Sequence, residues 1–201
     1  MDTPERPADR RVGLLGGTFD PPHLGHLVVA EEARDALGLD EVRLLVAGDP
    51  WMKDGESPAA VRVALCEAAV AHLPGVVVDD REARRTGPTY TADTLAELAA
   101  AEPGTAFTFL LGADAANDLP RWERAEEALA LARFVVVARA GDTPAVQALG
   151  HALARLDVPR VDVSSTDVRR RVAEGRSIRH LVPPSVRHEI EERRLYRSGH
   201  A

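Results

Sequence analysis

Short, almost wholly apolar runs alternate along the chain with longer stretches in which apolar residues recur every three or four positions. RVGLL (11–15), EVRLLVA (41–47), GVVVD (75–79), FTFLL (107–111), FVVVA (134–138) and RVDV (160–163) predict strands. Most are too apolar for a sheet with one face in water, so both faces are expected to be covered. Between them HLVVAEEARDAL (26–37), PAAVRVALCEAAVAHL (58–73), TADTLAELAAA (91–101), RAEEALALA (124–132) and TPAVQALGHALARL (143–156) carry helical spacing. SSTDVRRRVAEG (164–175) and PPSVRHEIEERRLY (183–196) predict two short helices after the last strand. The alternation predicts an α/β fold: a doubly wound parallel sheet, helices on both faces and a short C-terminal helical segment.

At 201 residues and 45% hydrophobic composition the chain suits one core, so residues 1–201 read as a single domain. Only about residues 1–10 and 197–201 look untethered. The one cysteine, Cys66, excludes an internal disulfide framework and a thiolate-only metal site and fits a reducing cytoplasm. Its setting in VALCEAAV reads as a small buried helical residue rather than a nucleophile. No apolar run approaches the ~18 residues that span a bilayer, and MDTPERPADRR lacks the apolar core of a signal peptide, so no membrane partner is expected. A net charge of −7 argues against nucleic acid as a partner, and any phosphate site has to be local.

In a parallel sheet, ligands gather beyond the carboxyl ends of the strands. The first loop there is GGTFDPPHLGH, residues 16–26. Gly16 and Gly17 let backbone approach a ligand, and a helix beginning near Leu24 or Gly25 offers unpaired N–H groups to an anion. The spacing is neither GxGxxG nor GxxxxGK[ST]. His23 and His26 stand three apart across the helix start and can face the same anion. Taken singly, either could be a capping or packing residue. As a pair behind two glycines they suit hydrogen bonding to phosphate and stabilisation of transition-state charge. Nothing nearby supplies a third ligand for zinc.

GGTFDPPHLGH resembles the signature of the HxGH nucleotidyltransferase superfamily, and GPTYTADTL (87–95), LLGADA (110–115), LPRW (119–122), FVVVARAG (134–141) and SSTDVR (164–169) extend the likeness to the bacterial nicotinate-nucleotide adenylyltransferases. The resemblance implies a Rossmann-like fold and adenylyl transfer from ATP to nicotinic acid mononucleotide, with Mg2+ accompanying the ATP. The products would be deamido-NAD and pyrophosphate, made in the cytoplasm for NAD biosynthesis. It assigns His23, His26, Lys53 and Arg169 to catalysis. Gly16, Gly17, Thr18, Phe19, His23, Gly25, His26, Asp114, Ser165, Thr166 and Arg169 go to ATP. Asp20, Lys53, Thr89, Tyr90, Thr91, Trp122 and Arg139 go to the mononucleotide. Beside these roles, Ser165 or Thr166 suits a helix cap, Asp114 a turn, Trp122 a core residue and Arg139 the surface.

One departure stands out. Many relatives carry PPHK after the second strand, where this chain reads PWMK (50–53). Met52 cannot donate the hydrogen bond a histidine would. Lys53 is the only lysine in the chain, which suits a compact, mobile ammonium at that point. Alternatives left open by the residues are a relative using nicotinamide mononucleotide or phosphopantetheine, and a nucleotide-binding regulator without turnover. Oligomeric state is equally open, a homo-oligomer included.

Overall fold

The computed structural model describes residues 10–48, 57–139 and 147–197. Six strands form one parallel sheet: β1 (Arg10–Gly17), β2 (Glu41–Val46), β3 (Val76–Asp79), β4 (Thr105–Gly112), β5 (Arg133–Arg139) and β8 (Ala154–Val158), in the order β3-β2-β1-β4-β5-β8. The helices are α1 (Leu24–Ala36), α2 (Ala59–Val70), α3 (Thr91–Ala101), α4 (Ala113–Asp118), α5 (Ala125–Leu131), α6 (Ser165–Ala173) and α7 (Pro184–Glu192). A 3-10 turn, Leu119–Arg121, links α4 to Trp122. The arrangement is the expected Rossmann-like one.

Alternate side chains of a strand point to opposite faces, and the apolar runs use both. Leu15, Leu44, Leu110, Val135 and Val137 pack into the core that receives Ala30 and Ala33 of α1, Leu65 and Cys66 of α2, Val168 of α6 and Ile190 of α7. Leu14, Leu45, Phe109, Leu111 and Val136 pack into the other, with Leu95 and Leu98 of α3 and Ala128 of α5. Cys66 is fully buried, and burial pushes its thiol pKa upward, as suits an inert core residue. No helix of the described residues is long and apolar enough to cross a membrane.

Two sequence expectations fail between residues 143 and 163. Instead of a helix over 143–156, the described part forms a hairpin, β6 (Gln147–Ala148) with β7 (His151–Ala152), and then β8. Leu149 and Gly150 turn the hairpin at φ +49° and +81°, the left-handed pair that a two-residue hairpin turn demands. Leu156 and Val158 alternate with exposed positions and pair alongside β5. Apolar spacing there satisfied two periods at once, and the open edge of β5 selected the strand. The expected strand at 160–163 is consequently displaced: β8 already fills that edge, and 159–163 only lead into α6. At the N-terminal side, Arg10 is not untethered but opens β1, donating to Glu41 at 2.7 Å. At the other end Arg197 is described, exposed and bordering a cavity between α6 and α7, and residues 1–9 and 198–201 lie outside the described residues.

Candidate active site

The strand order reverses between β1 and β4, and the carboxyl ends of these two strands frame the crevice where such sheets bind ligands. Gly16 and Gly17 close β1, and Gly112 closes β4. A Cβ on Gly17 would stand 2.9 Å from Cζ of Phe19, so the bare glycine lets that ring fold back over the strand. Phe19 sits at φ +54° and is 2% exposed. Its ring meets that of His26 edge-on, with centroids 4.9 Å apart.

His23 is the N-cap of α1, in extended conformation. Its ring stacks on His26 with centroids 3.7 Å apart and planes 19° from parallel. Nδ1 of His26 accepts the backbone N–H of His23 at 3.2 Å, which leaves Nε2 of a neutral His26 to carry the proton. Both rings are held neutral. Burial first, then the Arg139 charge, pulls His23 from 6.5 to about 4; burial, the neighbouring His23 and Arg139 push His26 well below the ordinary range. Nδ1 of His23 is buried and makes no hydrogen bond among the described residues. An unpaired buried nitrogen is costly, and a polar ligand atom would satisfy it.

Side chains from distant elements grip the same loop. Asp20, 1% exposed and joined to Pro21 by a cis peptide bond, accepts the Ser57 N–H at 3.0 Å on one carboxylate oxygen and the Tyr196 hydroxyl at 2.5 Å on the other. Its carbonyl accepts Nη1 of Arg169 at 2.6 Å. The Ser165 hydroxyl donates to the Pro21 carbonyl at 2.8 Å, and the Leu24 N–H donates to the Leu181 carbonyl at 3.0 Å. The cap of α6 is Ser164, which accepts the Asp167 N–H at 3.1 Å, rather than Ser165 or Thr166. Ser165 is drawn to Pro21 instead, and Thr166 receives Nη2 of Arg169 at 3.4 Å.

Two adjoining cavities share Gly16, Gly112 and Ala115. One, of about 390 Å³, is bordered by Gly25, His26, Asp114 and Arg139. The other, of about 220 Å³, is bordered by Gly17, Glu82, Thr91, Phe109 and Trp122. Most residues given to ATP by resemblance thus gather at the first cavity or on the loop beside it, and Thr91 and Trp122 meet at the second. Arg139 borders the His26 cavity, apart from Trp122. Tyr90, the N-cap residue of α3, is 39% exposed, has the Arg124 guanidinium 5.9 Å from its ring centroid, and is not among the residues bordering either cavity. Thr89 lies against the Gly48 backbone, where a Cβ would come within 3.2 Å of its hydroxyl. Lys53 and Met52 lie outside the described residues. A larger cavity, about 600 Å³ between α6 and α7, includes none of the loop residues that follow the strands, so size alone does not select the site.

Three residues absent from the sequence-derived set border or brace this region. Glu82 lies in the Trp122 cavity and accepts the Thr94 hydroxyl at 2.6 Å, burial raising its carboxyl pKa. Tyr196 holds Asp20. Arg62, fully buried in α2, holds Thr18 by its carbonyl at 3.0 Å. Only Arg62 carried a local signal: it falls on the stripe Arg62, Leu65, Cys66, Ala69 that α2 buries.

Among known proteins, the cytidylyltransferase-like family profile matches residues 14–171. Two curated proteins named "Probable nicotinate-nucleotide adenylyltransferase" are similar nearly end to end. That of Synechococcus sp. is 41% identical over 96% of this chain and 98% of its own; that of Roseiflexus sp. is 46% identical over 92% and 98%. In fold, the chain is similar to Plasmodium falciparum nicotinic acid mononucleotide adenylyltransferase complexed with NaAD, with a TM-score of 0.78 at 18% identity, covering 93% of this chain and 97% of that one.

Proposed function

The chain belongs to the cytidylyltransferase-like family and, within it, to the nicotinate-nucleotide adenylyltransferases, and on that premise we propose that it transfers the adenylyl group of ATP to nicotinic acid mononucleotide. A phosphate oxygen of the mononucleotide attacks the α-phosphorus, the bond from that phosphorus to the β-bridging oxygen breaks, and pyrophosphate leaves with deamido-NAD as the other product. The attacking oxygen is already anionic, so no general base is called for. The work is alignment and charge neutralisation.

The observation that carries this reading is the pair of cavities meeting at the ends of β1 and β4, with a neutral histidine pair beside one and Trp122 in the other. Neutral imidazoles can offer N–H donors to phosphate oxygens without an ion-pair preference for the ground state. In the reading, His23, His26 and Arg169 receive the triphosphate with the backbone of Gly16, Gly17, Thr18, Phe19 and Gly25. Ser165, Thr166 and the start of α6 complete that side, and Asp114 serves the ribose. Trp122 stacks on the pyridine near Thr91 and the backbone of Thr89 and Tyr90. Asp20 serves by shaping the loop. Lys53 supplies a further cation to the phosphates, and Arg139 acts from the His26 side.

Magnesium enters as a partner of the triphosphate, whose charge it neutralises. Among the described residues no group of three or more His, Cys, Asp or Glu is placed to hold a metal ion, so no step is assigned to protein ligation. The reading puts the reaction in the cytoplasm, with which a chain holding a single, buried cysteine is compatible.

Incubation with ATP, magnesium and, in separate reactions, nicotinic acid mononucleotide, nicotinamide mononucleotide or phosphopantetheine tests the reading. Pyrophosphate release and chromatography of the dinucleotide are the readouts. The acid mononucleotide is expected to have the highest kcat/KM. Equal or greater turnover of another acceptor would reassign the substrate, and binding of ATP without any release would favour a regulator.

A further inference from the structure

Arg62 heads the side chains that are fully buried in this protein. Removing a guanidinium from water costs several kcal/mol, and a leucine or methionine would fill the same space without that cost. Its hydrogen bonds indicate what the charge is for. Nε donates to the Ser57 carbonyl at 3.0 Å, Nη1 to the carbonyls of Thr18 at 3.0 Å and Ala47 at 2.7 Å, and Nη2 to that of Gly48 at 2.8 Å. Only arginine's rigid planar fork can address four carbonyls in fixed directions at once.

Those carbonyls belong to separate pieces of the site. Thr18 lies between β1 and the histidine pair. Ala47 and Gly48 directly follow β2, and Ser57 leads into α2, its N–H already held by Asp20. Gly48 relays the position onward, because its backbone packs so closely on the loop after β3 that a Cβ there would stand 2.7 Å from the Glu82 carbonyl oxygen. Glu82 borders the Trp122 cavity. We propose that Arg62 is a positioning residue that sets the spacing between the loop serving the ATP phosphates and the loop serving the mononucleotide.

The inference rests on the two-substrate reading above. Arg62 borders neither cavity and touches neither substrate in that reading, so loosening it leaves each substrate its own contacts and each binding step nearly intact. The in-line approach of one phosphate to the other depends on the distance between loops, and that is what is lost.

Arg62→Lys keeps the charge and the fold-compatible stem but cannot reach all four carbonyls. Its kcat is expected to fall at least tenfold while KM for ATP and for the mononucleotide each stay within threefold. Gly48→Ala tests the relay with the arginine retained: the Gly48 carbonyl that Arg62 holds is kept, the new Cβ displaces the Glu82 carbonyl, and the same kcat-selective loss is expected. A kcat within twofold of wild type in both variants overturns the proposal, as does a rise in both KM values with kcat intact. Should the wild-type protein form no dinucleotide at all, the two-substrate reading fails. Amide exchange then decides the role of Arg62. In Arg62→Lys, faster exchange in segments 16–20 and 45–48 together supports coupled loops, and unchanged protection in either segment overturns it.

Discussion

The buried histidine pair makes the ligand-free protein's stability depend on pH in a way that can be calculated and removed. His23 is 4% exposed and its pKa falls from 6.5 to about 4, through burial first and the Arg139 charge second. Above pH 6.5 the ring is neutral in folded and unfolded chains alike, and its ionisation costs the fold nothing. Between 6.5 and 4 the unfolded chain accepts a proton that the folded one refuses, so stability is lost as pH falls through that window. The full cost is reached near pH 4. At about 1.36 kcal/mol per pH unit, the window amounts to roughly 3 kcal/mol. His23→Asn removes the titration and keeps a polar cap. Urea unfolding of both proteins at constant ionic strength, at pH 7, 6, 5 and 4.5, is expected to show the wild type losing about 2 to 3 kcal/mol more than the variant. The carboxylates titrate in both proteins and cancel in the difference. Parallel stability curves, differing in slope by less than about 0.5 kcal/mol over the range, would show that His23 is not held neutral and refute the reasoning.

Trp122→Ala is expected to raise KM for the mononucleotide by roughly tenfold or more, the equivalent of 1–3 kcal/mol of stacking, with little change in KM for ATP; equal effects on both substrates would return Trp122 to its edge contact with Phe109. Gly25→Ala places a Cβ 3.1 Å from Cε1 and Nδ1 of the His23 ring, so steady-state kinetics should show a fall in kcat. Its melting temperature should hold within about 2 °C, because alanine favours the helix. Tyr196→Phe removes the hydroxyl that bonds the Asp20 carboxylate at 2.5 Å. A bond to a charged group contributes about 1.5–3 kcal/mol, which at about 2–4 °C per kcal/mol for a chain of this length predicts melting lowered by roughly 3–12 °C. A shift under about 1 °C in a thermal scan would mean that the bond contributes nothing.

The central strands were legible because runs such as FTFLL and FVVVA can be buried on both faces, and no other element uses such a run so fully. Residues 143–156 were not, because their spacing fits a helix as well as alternation, and the deciding influence, the open edge of β5, is far away in sequence. The opening loop announced its chemistry through residue types that have few other reasons to occur together. The stacking of His23 on His26 and the loss of their charge depend on burial that no local pattern discloses. Asp20 reads as a ligand contact from its loop, and its bracing bonds were not legible there, since its partners Ser57 and Tyr196 stand 37 and 176 residues away. Arg62 was hidden differently: an arginine in an apolar helical stripe looks like a tolerated polar residue until carbonyls from Thr18, Ala47, Gly48 and Ser57 are assembled around it.

The ties on the opening loop also set an order in time. The loop that carries both histidines is made before the hydroxyls and guanidinium that clasp it, from Ser165, Arg169 and Tyr196, which follow 144 to 176 residues later. β1 itself lies mid-sheet between β2 and β4, so a nascent chain can pair one of its edges well before the other. Until the ribosome has released the stretch containing Tyr196, the growing protein holds its most chemically committed segment without its clasps. Competence to bind and react therefore has to wait for residues made well over a hundred positions after the loop itself.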